Sequence, residues 1–272
     1  MNQMLGAQRM SLARRGRIFG ILVAGLGLAA GGTAIFSYPP SLRAYGVSES
    51  NALGSGAAAA KNADKKSPSR FVADKGKFRI SVAGQQLGKE EFEIAPNGSD
   101  WTAHGTAEIQ SQQGNTHVTG TLAFHPDGTP VHYEWSTQSA KKASAAIAFN
   151  GLSATVELHI EGARPFTQKF TFTSPEVIVL DNNLYHHYAL LAQLYDWNKK
   201  GSQSFSVLVP QEMTPGTVTA ESMGKQDVGG KKLEELRVKT EDNEIDLFLD
   251  GPKLMRVVAP AANAEIIREE SK

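Results

Sequence analysis

The chain contains no cysteine, which excludes disulfide staples, thiol nucleophiles and thiolate metal ligands together. Neither charge dominates: 28 basic residues balance 28 acidic ones over 272 positions. A nucleic-acid surface needs a clustered positive excess, so no nucleic-acid partner is expected. The short motifs of common catalytic chemistry are missing as well. There is no Gly-x-Ser-x-Gly elbow, no Walker loop, no Gly-x-Gly-x-x-Gly turn and no His-Glu-x-x-His helix. No catalytic residue, metal centre or cofactor is therefore expected.

What is present begins with a basic, then apolar, N-terminus. Residues 1–17 carry Arg9, Arg14, Arg15 and Arg17 and no acid, and residues 18–36 are uncharged and rich in Gly, Ala, Leu and Ile. About twenty apolar residues cross a bilayer, and arginines stay on its cytoplasmic side. Two readings stand. Length and the lack of a small-x-small cleavage site favour a retained transmembrane anchor, whereas the glycines and modest hydrophobicity favour a signal peptide. The first places the chain in a bacterial inner membrane, single-pass, with its C-terminal domain in the periplasm. The second leaves it secreted or periplasmic after cleavage.

From 37 to 70 the composition shifts to Pro, Ser, Gly, Ala and Lys, with Pro39-Pro40, Gly54-Ser55-Gly56 and Asp64-Lys65-Lys66. No apolar period survives, which predicts a flexible linker. Residues 71–259 read as a β-rich exported domain and 260–272 as a charged tail.

Within the domain, strand alternation dominates. A hairpin centred on Ser111 to Gly114 sets Trp101 opposite Phe124, Ala103 opposite Leu122, Gly105 opposite Gly120 and Ala107 opposite Val118. All these apolar residues fall on one face. Glu108 and His117 share the other, so a dry and a wet side are specified together. After Pro126-Asp127-Gly128, pairing Phe124 with Val131 sets Tyr133 against Leu122 and Trp135 over Gly120. Asn150-Gly151 predicts a type I′ hairpin, which needs positive φ at both central positions.

The one convincing helix is predicted over 181–197, between the apolar runs Val177–Leu180 and Phe205–Val209. Asp181 is placed as its N-cap, and Gly201 as its stop. Leu184, His187, Tyr188, Leu191, Leu194 and Tyr195 recur at helical spacing and predict one apolar stripe. The expected fold class is mainly β: an antiparallel meander forming a curved sheet, half-barrel or barrel packed on one central α-helix, preceded by the N-terminal transmembrane helix.

Ala103, Gly105, Ala107 and Gly120 are small for an inward face. Either the helix packs closely over them, or room is left for a ligand walled by Trp101, Phe124, Tyr133, Trp135, Phe170, Phe172, Tyr188 and Leu191. Adjacent helical residues point about 100° apart, so His186-His187 is not expected to grip one ion. Glu90, Glu91 and Glu93 are expected as a solvated acidic face.

The order of strand, Gly84-x-x-x-Gly88, strand with Phe92, meander, Leu180-Asp181 to Tyr188 and further meander resembles a family of uncharacterised exported bacterial β-meander proteins, domains of unknown function. The likeness covers 71–258. More distantly the arrangement looks like the half-barrel lipoprotein carriers of the envelope, which cradle acyl chains between a curved sheet and helices. Their additional lid helices have no counterpart in this sequence.

Three functions follow as expectations. The first is a membrane-tethered, non-enzymatic envelope domain that holds a hydrophobic or lipid-like ligand, or the apolar part of a protein partner. The second is a structural or assembly scaffold acting through protein–protein contacts. The third is a hydrolase with a site near His104, His117 and Glu108.

Overall fold

The computed structural model describes residues 69–111, 114–199, 201–240 and 243–270. The expected segments 1–17 and 18–36, and all but the end of the linker 37–70, lie outside the described residues. The domain opens with a meander of eight strands: β1 (Asp74–Val82), β2 (Gln85–Asn97), β3 (Asp100–Ser111), β4 (Gly114–Phe124), β5 (Pro130–Gln138), β6 (Lys142–Asn150), β7 (Ser153–Ile160) and β8 (Phe166–Thr171). A short strand β9 (Val177–Val179) and helix α1 (His186–Leu194) interrupt it. A second meander follows: β10 (Gln203–Val209), β11 (Thr214–Val228), β12 (Lys231–Lys239), β13 (Glu244–Asp250), β14 (Lys253–Ala259) and β15 (Ala264–Arg268).

All fifteen strands belong to one sheet, ordered β8-β7-β6-β5-β4-β3-β2-β1-β15-β14-β13-β12-β11-β10-β9. Every pairing is antiparallel except β9 with β10, which is parallel. The sheet does not close, because β8 and β9 are its two edges. Flat, edges fourteen strand spacings apart would lie about 67 Å from each other at ~4.8 Å per spacing. Yet only residues 172–176 connect β8 to β9, a link that reaches about 20 Å at most. The sheet must therefore roll. Tyr133 in β5 reaches Asp181 just past β9 at 2.6 Å, which fixes how far the second edge tucks beneath the first meander.

The expected register is the observed one across β3 and β4, where Trp101 faces Phe124, Gly105 faces Gly120 and Glu108 faces His117. Across the next hairpin Gly120 faces Trp135 and Leu122 faces Tyr133, but Phe124 pairs with Pro130 and not with Val131. A bulge between Ala123 and Phe124 takes up the extra residue. The Asn150-Gly151 expectation shifts by one position. Asn150 still pairs with Ser153, so the loop is Gly151-Leu152, with positive φ at Gly151 alone, the pattern of a type II′ turn.

Two boundaries move. The tail expected after 259 contributes β15, which sits at the middle of the sheet between β1 and β14. Its Ile266 is fully buried, and alternation over five residues was too short to outweigh the flanking charges. The helix is shorter than 181–197 and begins at His186. It is buried on every side, from His186 through Ala192, and so carries no polar face. A helix enclosed by a rolled sheet has no solvent side to keep polar.

Candidate functional site

Strand alternation makes β2 present Glu90 in phase with Phe92 and Ile94, on the inward face. Glu91 and Glu93 point the other way and pair with Lys77 at 2.6 Å and Lys75 at 3.5 Å, the solvated acidic face expected of them. Glu90 does not belong with them. It is fully buried, and its carboxylate meets the start of α1. Oε2 accepts the Tyr185 N–H at 2.7 Å, and Oε1 accepts the His186 N–H at 3.2 Å. Nδ1 of His186 lies 2.6 Å from Oε1.

This arrangement corrects the assignment of the cap. The N-cap residue is Tyr185, which makes no side-chain cap bond, and its own amide and that of His186 are met by a carboxylate from a strand 95 residues earlier, while the His187 and Tyr188 amides bond the Leu184 and Tyr185 carbonyls. Asp181 lies too far ahead of His186 to reach them. Its Oδ1 instead accepts the Asn183 N–H at 2.8 Å, and its Oδ2 accepts the Tyr133 hydroxyl at 2.6 Å and the Gln211 side-chain amide. It folds the loop before the helix, not the helix itself.

Beside this pair, His187 donates Nδ1–H to the Val179 carbonyl at 2.8 Å. That bond assigns its tautomer and leaves Nε2 as an acceptor. The two imidazoles meet edge to face with centroids 4.5 Å apart, Phe92 stacks on His186, and the Tyr133 ring meets His187 edge-on. Nε2 of both histidines, the Tyr185 hydroxyl, Trp135 Nε1 and Thr137 Oγ1 are buried without a hydrogen-bond partner. Trp135 and Thr137 share the inward face of β5 with Tyr133, so the helix N-terminus and β5 enclose most of the unpaired polar atoms of the core.

Burial governs the ionisation here. It pushes the Glu90 carboxyl up to about 8, against the pull of the Tyr185 and His186 N–H groups. It pushes His186 and His187 down to about 3. Both effects favour neutral forms, so the Glu90–His186 contact holds one proton and no net charge, whichever atom carries it. Tyr133 is raised well above its usual range by burial and by the neighbouring Asp181. Among the described residues no three His, Asp or Glu side chains converge as a metal ion would need.

The eight expected pocket residues are brought together, but as core. Trp101, Phe124, Tyr133, Trp135, Phe170, Phe172, Tyr188 and Leu191 are all 8% exposed or less and join one hydrophobic cluster. The small residues opposite them are covered by the helix segment. A Cβ at Gly105 would come within 2.7 Å of His186 Nδ1, and one at Gly120 within 2.7 Å of the Tyr133 hydroxyl.

Two open grooves lie elsewhere. The first, about 720 Å³, runs over the ends of β2 to β4 and includes Glu108 and His117. There Glu108, which faces His117 across the strands, pairs with Lys89 at 3.1 Å, while His104, four residues along β3, bonds Thr121 at 2.9 Å. The second, about 890 Å³, opens where α1 ends, with Ile178, Leu194, Tyr195, Trp197 and Phe205 among its walls and Arg70, Glu176 and Lys199 along it. Trp197 is 40% exposed, and its Nε1–H donates to the Ala192 carbonyl at 3.1 Å. Sequence reasoning missed both Glu90 and this groove. The phase of Glu90 with Phe92 and Ile94 was a readable signal; the groove had none.

Fold and site together define a rolled β-meander domain with one enclosed helix, clamped by a buried carboxyl–imidazole pair. No protein-family model matches the chain, and no curated protein matches it. Among solved structures, the crystal structure of a DUF1089 family protein from Pseudomonas aeruginosa aligns with a TM-score of 0.43 and 8% identity, covering 62% of this chain and 87% of that one. At that similarity, the function of this chain rests on its own geometry.

Proposed function

We propose that this chain is a membrane-tethered envelope protein whose exported domain binds a hydrophobic or lipid-like ligand and performs no chemistry on it. The binding place is the groove at the end of α1, not the interior. Gly105 and Gly120 lie under His186, Leu184 and Tyr133, so the space expected between sheet and helix is occupied. The observation that supports the groove is Trp197, a large ring left 40% exposed beside Leu194, Phe205 and Ile178 with charged groups at the margin. Apolar walls with a few polar groups are what ligand sites present. Arg70, close to the end of the expected tether, also borders this groove.

The test uses the tryptophans. Trp101 and Trp135 are buried and Trp197 is not, so a monomeric twelve-carbon lysophospholipid entering the groove shifts the emission of Trp197 to shorter wavelength. Trp197→Phe removes that shift while the fold stays intact. An unchanged spectrum in the wild type, with no 1:1 adduct in native mass spectrometry, overturns the reading.

A second reading has its own observation. The edge β8 carries Phe166, which is 44% exposed, and the turn before β7 carries Leu152, 49% exposed. A free edge flanked by exposed apolar side chains suits strand addition by a protein partner, the scaffold function. Phe166→Lys would abolish such pairing and leave lysophospholipid binding unchanged.

A further inference from the structure

The start of α1 is secured by a long-range contact, and that contact is ionisable. Two backbone amides and one imidazole converge on the Glu90 carboxyl, and the helix has no side-chain cap of its own to replace it. At nine residues the helix is too short to hold itself together in water, so its order depends on being seated.

The groups facing the pair offer no free lysine or arginine charge to offset Glu90. From β5 comes Tyr133; from the loop before the helix, Tyr185 and, beside His187, Asp181; from the helix itself, His187. β3 contributes His104, which disfavours a charged His186. From β15, Arg268 lies over the Phe92 ring at 5.4 Å, but both its terminal nitrogens are bound to Asp74, at 2.7 and 2.8 Å. Among the described residues no lysine or arginine pairs with Glu90. If the pair loses its proton, an uncompensated negative charge remains in a dry interior, a state relieved by letting the carboxylate reach water.

We propose that Glu90 and His186 form a proton-operated clamp on α1: the helix stays seated while the pair holds one proton, and its N-terminal end is released when that proton leaves. Burial raises the seated Glu90 carboxyl, so the release grows from near-neutral pH up to about 8. The clamp is independent of the ligand groove, which lies at the other end of the helix.

Amide hydrogen exchange of α1, measured in the full chain, tests it. After correction for the intrinsic pH dependence of exchange, the protection of residues 186–194 in the wild type is steady to about pH 6.5, where His186 offsets Glu90, falls about tenfold per pH unit from there to about pH 8, and levels off above, as one linked proton requires. Val118 and Leu122 of β4 keep their protection over the same range. In Glu90→Gln the protection of α1 no longer falls between pH 6.5 and pH 9. The proposal is overturned if wild-type protection is equal at pH 6.5 and pH 9, if Glu90→Gln falls as steeply as wild type, or if β4 opens together with α1. Should Glu90→Gln fail to fold, wild-type protein labelled with 13C at the glutamate side-chain carboxyl decides. One resonance titrating far above the others, in step with helix exchange, supports the clamp; all glutamates titrating together removes it.

Discussion

The Tyr133 hydroxyl donates to Asp181 at 2.6 Å, and this single bond links the fifth strand to the segment that follows the opposite edge of the sheet. Both groups are buried, and Asp181 also accepts from the Asn183 N–H and the Gln211 amide. Tyr133→Phe keeps the ring and removes the donor. It should lower stability by about 1–3 kcal/mol, the cost of taking one of three donors from a buried carboxylate, measured by urea denaturation at constant m.

Gly105 and Gly120 face each other in mid-sheet under the helix segment. A methyl at Gly105 meets the His186 ring, and one at Gly120 meets the Tyr133 hydroxyl. Gly105→Ala and Gly120→Ala should each destabilise the fold by about 1–3 kcal/mol through overpacking, although alanine is the better strand former. A rise in melting temperature for either would show that the helix is not seated where the structure places it.

Arg268 closes the join between the two meanders. Its guanidinium grips both oxygens of Asp74, with side chains only 9% and 4% exposed, and also bonds the Lys75 carbonyl. Arg268→Met leaves a buried carboxylate without its partner and should cost about 3–5 kcal/mol. Adding Asp74→Asn should restore part of that loss, which a double-mutant cycle measures directly.

Stability should pass through a maximum near pH 6.5. Glu90 holds its proton more tightly in the fold than in the unfolded chain, so its contribution is full below pH 4.5 and is lost as pH rises through about 8. His186 and His187 hold theirs more weakly, so their contribution is full above pH 6.5 and is lost as pH falls through about 3. Between 4.5 and 6.5 two histidines outweigh one glutamate and stability climbs; above 6.5 only Glu90 counts and it declines. Denaturation midpoints across pH 4 to 9 read this curve. Glu90→Gln should flatten the alkaline limb and keep the acid one.

Much of the sheet was legible because strand alternation is local. The pairing of Trp101 with Phe124 and of Gly105 with Gly120 follows from keeping Ala103, Ala107, Val118 and Leu122 on one face, and a slip of one residue would have buried Glu108 and His117 instead. Where a bulge intervened, at Ala123 and Phe124, the same counting failed by one residue, since nothing in the composition announces the extra position. The helix was legible as an element, but not in its limits. Asp181 has the chemistry of a cap and sits ahead of an apolar run, and only Tyr133 and Gln211, 48 and 30 residues away, reveal that its oxygens are already engaged.

The sequence alone thus determined the β-meander, the inward and outward faces of its strands, and the presence of one helix between Val179 and Gln203. The tertiary structure alone decided that β15 enters the centre of the sheet, that five residues between β8 and β9 force it to roll, and that Glu90 holds the start of α1. The reason is range. Side-chain period is set by neighbours two to four residues apart, whereas the partner of a buried carboxyl is chosen by whichever distant amides the rolled chain brings within about 3 Å.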